Sequence, residues 1–377
     1  MLRMTLFITL LLGVITTALN CEADRHPANT ERKSESGLSR IGDMTTSRAA
    51  HSATLLPNNT VLITGGFSGG DTLSSAELFD PAAKTFITAG NMSVARSGHT
   101  ATLLPNGKVL IAGGFNGRYV ASAELYDPLT RKFTSANQMT AARSGHVATL
   151  LPNGRVLLAG GVGTGWTFLA SADLYDPATN TFAATGPMLA ARESHTATLL
   201  KNGNVLIAGG HRGRRPAVTI YSSTEIYDSA TGKFTAASDM TIRRHKHDAV
   251  SLADGRVLIV GGADERDGDG AYASAEIYDP ARRTFSATAS MNSRRYKLQG
   301  TAVLLSDGRV LVGGGADRAE IFDPSRNTFT YIAGEMETQR LFATATRLGD
   351  GQVLILGGYH VGNVVSASAW IASLSPV

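Results

Sequence analysis

The stretch Arg96-Ser-Gly-His-Thr-Ala-Thr-Leu-Leu-Pro-Asn-Gly-Lys-Val-Leu-Ile-Ala-Gly-Gly114 decides the fold, because the chain repeats its pattern along most of its length. It contains a run of small residues, an Asn-Gly pair, an apolar run and a glycine pair. An Asn-Gly pair accepts the positive φ angles of a type I′ turn, whose twist suits two antiparallel strands. The apolar run does not alternate with polar residues, so we expect a strand that is covered on both faces.

The pattern recurs with a period of 43 to 53 residues, measured between glycine pairs. In this copy two further strand-like segments follow, Ser122–Asp127 and Lys132–Ser135, joined by an Asp-Pro turn. Four strands in a period near 50 residues predict the blades of a β-propeller. The glycine pairs are 65–66, 113–114, 160–161, 209–210, 261–262, 314–315 and 357–358.

The last copy has no fourth strand at the C-terminal end of the chain. The missing segment is found near the other end, where Leu38–Arg48 aligns with Phe86–Arg96. We therefore expect residues near 37–42 to complete the last blade, because closing the ring removes open strand edges. The sequence predicts an all-β, seven-bladed propeller over residues 37–377.

The recurring set of a glycine pair, a Glu-x-Tyr-Asp-Pro strand, an aromatic residue, a Met and an Arg resembles the kelch repeat. The sequence of Gly98–Gly107 is most similar to the repeats of bacterial kelch proteins of the galactose-oxidase type. This resemblance implies a propeller, but the family includes copper-radical oxidases as well as interaction scaffolds, so it does not imply one function.

The copper-radical site of that family requires a tyrosine directly before a repeat histidine and a tyrosine linked to a cysteine. Neither requirement is met, because no cysteine follows Cys21 and no tyrosine precedes a repeat histidine. We predict no copper-radical oxidation, no cofactor, no metal and no catalytic residue. The residues that precede the histidines are Ala50, Gly98, Gly145, Ser194 and Lys246.

Residues 1–20 have the pattern of an export signal, with Arg3 before an apolar run that is too short for a comfortable membrane span. Cys21 directly after this run resembles the lipidated cysteine of bacterial lipoproteins. Cleavage after Ala23 and free secretion is the alternative. Residues 21–36 lack hydrophobic periodicity, which predicts a flexible tether. We expect an exported protein, either a periplasmic or cell-surface lipoprotein anchored at the membrane through Cys21, or a secreted one.

The formal net charge of the 377-residue chain is +4. Nucleic-acid binding usually requires basic residues gathered in one stripe, so this modest excess does not predict a nucleic-acid partner. A single cysteine excludes an intrachain disulfide. We expect a monomer.

Two polar positions recur through the repeats, and we interpret both as structural. Five histidines are expected to bond neighbouring blades, and seven arginines are expected to pair with six acids, because a buried arginine without a partner is costly. The seventh blade has Trp370 in place of the acid, which leaves Arg340 for a ligand. The histidines are His51, His99, His146, His195 and His247; the arginines are Arg48, Arg96, Arg143, Arg192, Arg244, Arg295 and Arg340; the acids are Glu77, Glu124, Asp173, Glu225, Glu276 and Glu320.

Binding is expected on the face that carries the Arg-x-x-His segments and the variable loops after the glycine pairs. The short loop of blade six predicts a notch beside the long loops of blades four and five. Aromatic and basic residues there suit a protein hot spot or an acidic sugar. The ligand-binding candidates are Arg243, His245, Lys246, Arg294, Tyr296, Lys297, Arg340, Phe342, Arg214, Tyr221, Tyr272, Trp166 and Tyr359, with Tyr119 and Phe168 as further aromatic residues on this face.

The acidic loop Glu265–Gly270 imitates a calcium-binding loop, but no helices flank it. Its alternative role is to attract the basic loop His211–Pro216. Taken together, the sequence predicts a binding module for a protein or a cell-surface glycan. A carbohydrate-active enzyme of the sugar isomerase or lyase type is the leading alternative, and a purely structural envelope protein is the third.

Overall fold

The computed structural model describes residues 37–360 and 362–374, so the predicted signal, the tether and Cys21 lie outside the described residues. The described chain forms seven four-stranded antiparallel sheets. Within blades one to six, the strands of each sheet follow the order of the chain. This is the predicted seven-bladed, all-β propeller.

The first strand of each blade lies at the central axis, because these strands contact one another in a closed ring. Their small side chains suit the narrow end of the wedge-shaped blade. The first strands are Ser52–Leu55, Thr100–Leu103, Val147–Leu150, Thr196–Leu199, Asp248–Ser251, Ala302–Leu304 and Thr344–Arg347.

The second strand of each blade is buried along its whole length, which confirms the prediction of a strand covered on both faces. The second strands are Val61–Thr64, Val109–Ala112, Val156–Ala159, Val205–Ala208, Val257–Val260, Val310–Val312 and Val353–Leu356. The third strands are Ser75–Asp80, Ala123–Asp127, Ala172–Asp176, Thr224–Asp228, Ala275–Asp279, Glu320–Asp323 and Ser368–Ser373.

The fourth, outermost strand of blade seven is the N-terminal strand Gly37–Asp43, which pairs antiparallel with Ser368–Ser373. Gly37 lies opposite Ser373 and Asp43 opposite Ser368, so the two ends of the described chain close the ring as predicted. The other fourth strands are Thr85–Asn91, Lys132–Ala136, Thr181–Thr185, Lys233–Ala236, Thr284–Ala287 and Thr328–Tyr331.

The loops after the glycine pairs contain short hairpins and two 3₁₀ turns, Thr164–Trp166 and Asp267–Gly270. No helix among residues 37–360 and 362–374 is long and apolar enough to cross a membrane. The hairpins are Phe67–Ser68 with Asp71–Thr72, Val162–Gly163 with Thr167–Phe168, His211–Arg212 with Thr219–Ile220, and Tyr359–His360 with Val364–Val365.

The glycine pair marks the place where one blade passes closest to the next. Gly65 has a φ of 59°, and a side chain on it would collide with the carbonyl oxygen of Arg96 and the ring of His99 in the following blade. The neighbouring Gly66 donates its N–H to the same Arg96 oxygen at 2.9 Å. The repeat therefore requires glycine here for inter-blade packing.

The recurring arginine fastens the segment that connects two blades. The buried Arg96 guanidinium donates to Glu124 at 2.8 Å and to the carbonyl oxygen of Gly113 at 2.8 Å. Glu124 also accepts the backbone N–H of Ser93 at 2.7 Å, so one ion pair ties the connection to the third strand. Equivalent pairs join Arg48 to Glu77, Arg143 to Asp173, Arg192 to Glu225, Arg244 to Glu276 and Arg295 to Glu320.

Four of the five recurring histidines bond a threonine of the preceding blade, which confirms their structural interpretation. His195 is the exception, because Val147 occupies the position of the threonine that His146 bonds, Thr100. Burial lowers the pKa of His51, His99 and His195 to about 3, so the rings are neutral. The four bonds join His51 to Thr344, His99 to Thr64, His146 to Thr100 and His247 to Thr196, at 2.9 to 3.1 Å.

Glu124→Gln should lower the free energy of unfolding by about 3–5 kcal/mol, because it leaves the Arg96 charge buried without its counter-ion. The matched control is Glu265→Gln, since Glu265 is 46 % exposed and lies 3.0 Å from Arg243, which is 55 % exposed. That substitution should cost less than about 1 kcal/mol. Urea unfolding measures both values, and equal losses would contradict the assignment.

The buried neutral histidines should make the protein acid-sensitive. Their folded pKa lies below the unfolded value of 6.5, so the unfolded state gains more protons as the pH falls from 6.5 towards 3, and stability is lost. One pH unit below 6.5, each such histidine costs about 1.4 kcal/mol. Glu193 and Asp248, whose pKa values burial raises to about 7 and about 6, oppose the trend but are fewer.

His195→Asn should therefore reduce the pH slope of the unfolding free energy by about 1.4 kcal/mol per pH unit over that acid range. Because His195 has no threonine partner, the substitution removes a titrating group without removing a histidine–threonine hydrogen bond between blades. Urea titrations at a series of pH values measure the slope. An unchanged slope would show that His195 is not the buried neutral group described.

Candidate functional site

The segments between arginine and histidine form a ring of backbone hydrogen bonds around the axis on the loop face. In every blade one residue of this ring, the axial ring, has a positive φ near 50–60°. Six of the seven links between neighbouring members are hydrogen bonds of 2.8 to 3.1 Å, which makes the ring a rigid platform. The members are Ala50, Gly98, Gly145, Ser194, Lys246, Lys297 and Phe342.

The side chains of the axial ring divide the face into two halves. The members of blades one to three are Ala50, Gly98 and Gly145, whereas those of blades five to seven are Lys246, Lys297 and Phe342. Small residues leave space, and a cavity of about 400 Å³ opens there, the axial cavity. Its larger lining residues are Phe67, Phe115, Tyr119, Trp166, Glu193 and Phe342, above the repeat histidines.

An aromatic wall borders the axial cavity on the side of blades two and three. The ring centroids of Phe115 and Tyr119 are 5.1 Å apart, and Trp166 meets Tyr119 edge-on at 5.7 Å. Trp166 is 50 % exposed at the tip of its loop, and the Arg214 guanidinium lies over the face of its indole ring. The wall presents apolar ring surface to whatever enters the cavity.

Glu193 is the carboxyl group of the axial cavity, and its side chain is 24 % exposed. Burial raises the pKa of Glu193 to about 7, although the charges of Lys246 and Arg214 oppose the rise. The carboxyl lies 3.7 Å from Nε2 of His211. A carboxyl group whose pKa lies near neutrality is suited both to donate and to accept a proton.

Sequence reasoning missed Glu193, although a signal was present. The position directly after the repeat arginine is Ala49, Ser97 and Ser144 in the first three blades and Glu193 in the fourth. Reading that one column of the repeat, rather than the basic runs, would have found it.

A smaller cavity of about 210 Å³ adjoins the first, and Trp166 and Glu193 line both. His211, His245 and Asp267 lie in the wall of this side cavity. Nδ1 of His211 is 3.2 Å from Nδ1 of His245, and Nε2 of His245 is 3.4 Å from the Asp267 carboxylate. Lys246 donates to the same Asp267 oxygen at 2.5 Å. Burial lowers the pKa of His211 to about 3, helped by His245 and Lys246. For Asp267 burial acts upward, but hydrogen bonds from His245 and Lys246 outweigh it and lower the pKa.

The carboxylates of the acidic loop form ion pairs with basic side chains. Glu265 accepts two bonds from Arg243 at 3.0 and 3.2 Å, and Asp267 lies 3.7 Å from Arg215 of the basic loop. The two loops therefore attract each other, as their charges suggest. Within residues 37–360 and 362–374, no three His, Cys, Asp or Glu side chains are grouped to hold a metal ion.

The structure brings part of the predicted candidate set together. Trp166, Arg214, His245 and Lys246 line the side cavity, and Phe342 lines the axial cavity. Three further members, Tyr296, Lys297 and Tyr359, form a separate group beside the axial cavity.

Other candidates serve the scaffold or lie apart. Tyr221 and Tyr272 pack against the scaffold arginines Arg192 and Arg244, at 4.9 and 5.6 Å. Arg340 is not left for a ligand as its missing acid suggested: it is 3 % exposed and lies 3.6 Å from Glu337. Arg294 is exposed.

The residues that line the two cavities come mainly from blades one to five, with Gln299 of blade six and Phe342 of blade seven, whereas the sequence placed a notch at blade six. The centre of blade six contains two extra residues, Gln299 and Gly300, relative to the repeat. Asp248 accepts the N–H groups of Thr301 and Ala302 at 2.8 and 2.7 Å and holds this insertion in place. Gln299 lines the floor of the axial cavity, so blade six contributes filling rather than a gap.

Comparison with known proteins agrees with this architecture. The kelch motif family matches residues 48–93 and 95–140. A solved fungal alcohol oxidase with catalytic diversity among the AA5 family, in complex with copper, superposes with a TM-score of 0.71 at 17 % identity, over 88 % of this chain and 75 % of that chain. At this identity the likeness shows the fold alone. No curated protein matches the chain.

The residues present do not fit the copper of that oxidase. The described residues contain no cysteine. In four of the five recurring histidines, Nε2 bonds a threonine hydroxyl instead of being left for a metal. What is shared is the scaffold: the chain is a seven-bladed β-propeller, and its repeats at residues 48–93 and 95–140 match the kelch motif.

Proposed function

We propose that this propeller binds a carbohydrate in its axial cavity. The observation that carries the proposal is the aromatic wall of Phe115, Tyr119 and Trp166 beside the carboxyl group of Glu193 in one concave space. A sugar ring has apolar C–H faces and a rim of hydroxyl groups. The wall suits the faces, and the carboxyl group suits the hydroxyls.

The shape of the site favours a small ligand over a broad protein surface. A volume of about 400 Å³ lies within the usual range of small-molecule sites, roughly 300–1,000 Å³. A stable protein interface instead requires on the order of 800 Å² from each partner. Kelch propellers generally mediate protein binding, so the test must distinguish a carbohydrate ligand from a protein ligand.

The axial ring supports this role because it holds the site rigidly. Six of its seven links are backbone hydrogen bonds across blades, so the backbone that carries the site needs little reorganisation when a ligand binds. We further propose that the protein acts outside the cytoplasm on a cell-surface glycan, in keeping with the export pattern of residues 1–20.

Trp166→Ala should weaken glycan binding about tenfold, which corresponds to about 1.4 kcal/mol, because it removes the exposed part of the aromatic wall. The control is Leu129→Ala, since Leu129 is 94 % exposed on the turn between the third and fourth strands of blade two and should not affect binding. A glycan array identifies the ligand, and calorimetry with that ligand measures the dissociation constants. If the native protein binds no glycan on the array, the proposal is refuted.

A second candidate function is catalysis on the same ligand, and Glu193 is the observation that favours it. A carboxyl group whose pKa burial raises to about 7 is matched to acid–base work at neutral pH. Such an enzyme would be of the isomerase or lyase type, which needs proton transfer but no tightly bound metal.

Glu193→Gln separates the two functions. If the site is catalytic, the captured glycan should be converted by the native protein, and the substitution should reduce turnover by a factor of at least about 100 while binding persists. Mass spectrometry and proton NMR of the incubated glycan follow the product. Binding without conversion by the native protein would leave the binding module as the function.

A further inference from the structure

Lys246 and Lys297 occupy the same place in the axial ring of neighbouring blades, but their charges are balanced differently. The ammonium of Lys246 lies 2.5 Å from Asp267. Within the described chain no carboxylate lies within 4 Å of the Lys297 ammonium, which donates instead to the hydroxyl of Tyr359 at 2.5 Å. Lys297 is therefore a half-buried cation without a counter-ion.

Three aromatic rings surround the Lys297 ammonium. Its Nζ lies 5.2 Å from the ring centroid of Tyr296, 5.5 Å from that of Phe342 and 5.2 Å from that of Tyr359. The ring faces of Tyr296 and Phe342 attract a cation but do not cancel its charge, whereas Tyr359 meets the ammonium with its hydroxyl edge. Burial lowers the pKa of Lys297, with the charge of Asp267 acting in the opposite direction, so the site is unfavourable for a positive charge as it stands.

This aromatic cage adjoins the axial cavity. Phe342 belongs to the cage and also lines the cavity. The ring centroid of Tyr359 lies 6.0 Å from that of Phe67, which lines the cavity as well. The cage belongs to blades six and seven, whereas the wall of Trp166 belongs to blades two and three. A ligand seated in the cavity thus has an apolar surface on one side and an unbalanced cation beside the other.

We infer that the ligand is an anionic sugar, carrying a carboxylate or a sulfate, and that this group binds at Lys297 and Tyr359. The inference rests on the proposed carbohydrate function and adds the chemical class of the sugar. An anion here supplies the missing counter-ion, and the Tyr359 hydroxyl is placed to donate a second hydrogen bond. The axial cavity beside the cage has a volume of about 400 Å³, which suits a small charged ligand rather than an extended acidic surface and argues against an acidic protein or a nucleic acid.

Matched sugar pairs test this directly. We expect oligogalacturonate to bind at least about tenfold more tightly than the neutral galactose oligomer of equal length, and a sulfated galactose oligomer reports whether sulfate replaces carboxylate. Lys297→Met should abolish the preference, because it removes the charge that the anionic group binds. Tyr359→Phe should reduce the preference partly. Calorimetry at two salt concentrations gives each dissociation constant.

Two control variants guard the interpretation. Lys201→Met removes one positive charge from the turn of blade four, on the opposite face, and should leave the preference intact. Lys297→Arg keeps the charge and should retain most of the preference. If Lys297→Met does not fold, the comparison of Lys297→Arg, Tyr359→Phe and the native protein still decides the matter.

The outcomes are distinct. Equal affinity for charged and neutral oligomers overturns the inference and leaves the carbohydrate proposal standing. A preference that survives Lys297→Met together with Tyr359→Phe overturns the assignment to this cage. Absence of binding to every oligomer and to a glycan array overturns both proposals. Loss of the preference in Lys297→Met but not in Lys201→Met supports the inference.

Discussion

The structure depends on a buried arginine that must be neutralised in each blade. Arg96 is typical: its guanidinium is shielded from water, and a carboxylate and backbone oxygens replace the lost hydration. Because the acid lies on the third strand and the arginine precedes the first, their pairing sets how far the connecting segment travels before the next blade begins. The glycine pair then gives that segment room. The full set recurs in blades one to six; in blade seven Trp370 replaces the acid, and Arg340 lies 3.6 Å from Glu337 instead.

Repetition of this set also determines where function can reside. Positions that contact the repeat arginine, the glycine pair or the histidine are constrained by inter-blade packing, whereas the two positions between arginine and histidine face the axis. Small residues there, such as Gly98 and Gly145, open the axial cavity, and large ones such as Lys297 and Phe342 fill the other half. The backbone ring beneath them is nearly the same in every blade. A regular scaffold thus carries an asymmetric site through side-chain volume alone.

Charge is distributed around this site unevenly. Asp267 lies within 4 Å of Lys246, His245 and Arg215, and Glu265 pairs with Arg243. The charges of the long loops of blades four and five therefore largely neutralise one another. Glu193 and Lys297 lie outside that balance. One is a carboxyl group whose pKa burial raises, and the other is an ammonium without a carboxylate within 4 Å. These two groups give the face its chemical character.

The sequence alone determined the seven blades, the closing strand and the buried arginine–acid pairs, because each rests on a local pattern or on a repeated spacing. It also pointed to Trp166, Lys246 and Lys297 as departures from the repeat. Only the tertiary structure decided that Arg340 is covered, that Gln299 fills the centre of blade six and that Glu193 lines both cavities. Those outcomes depend on the volumes and charges of residues that are distant in the chain and meet around the axis, and no spacing within one repeat encodes such meetings.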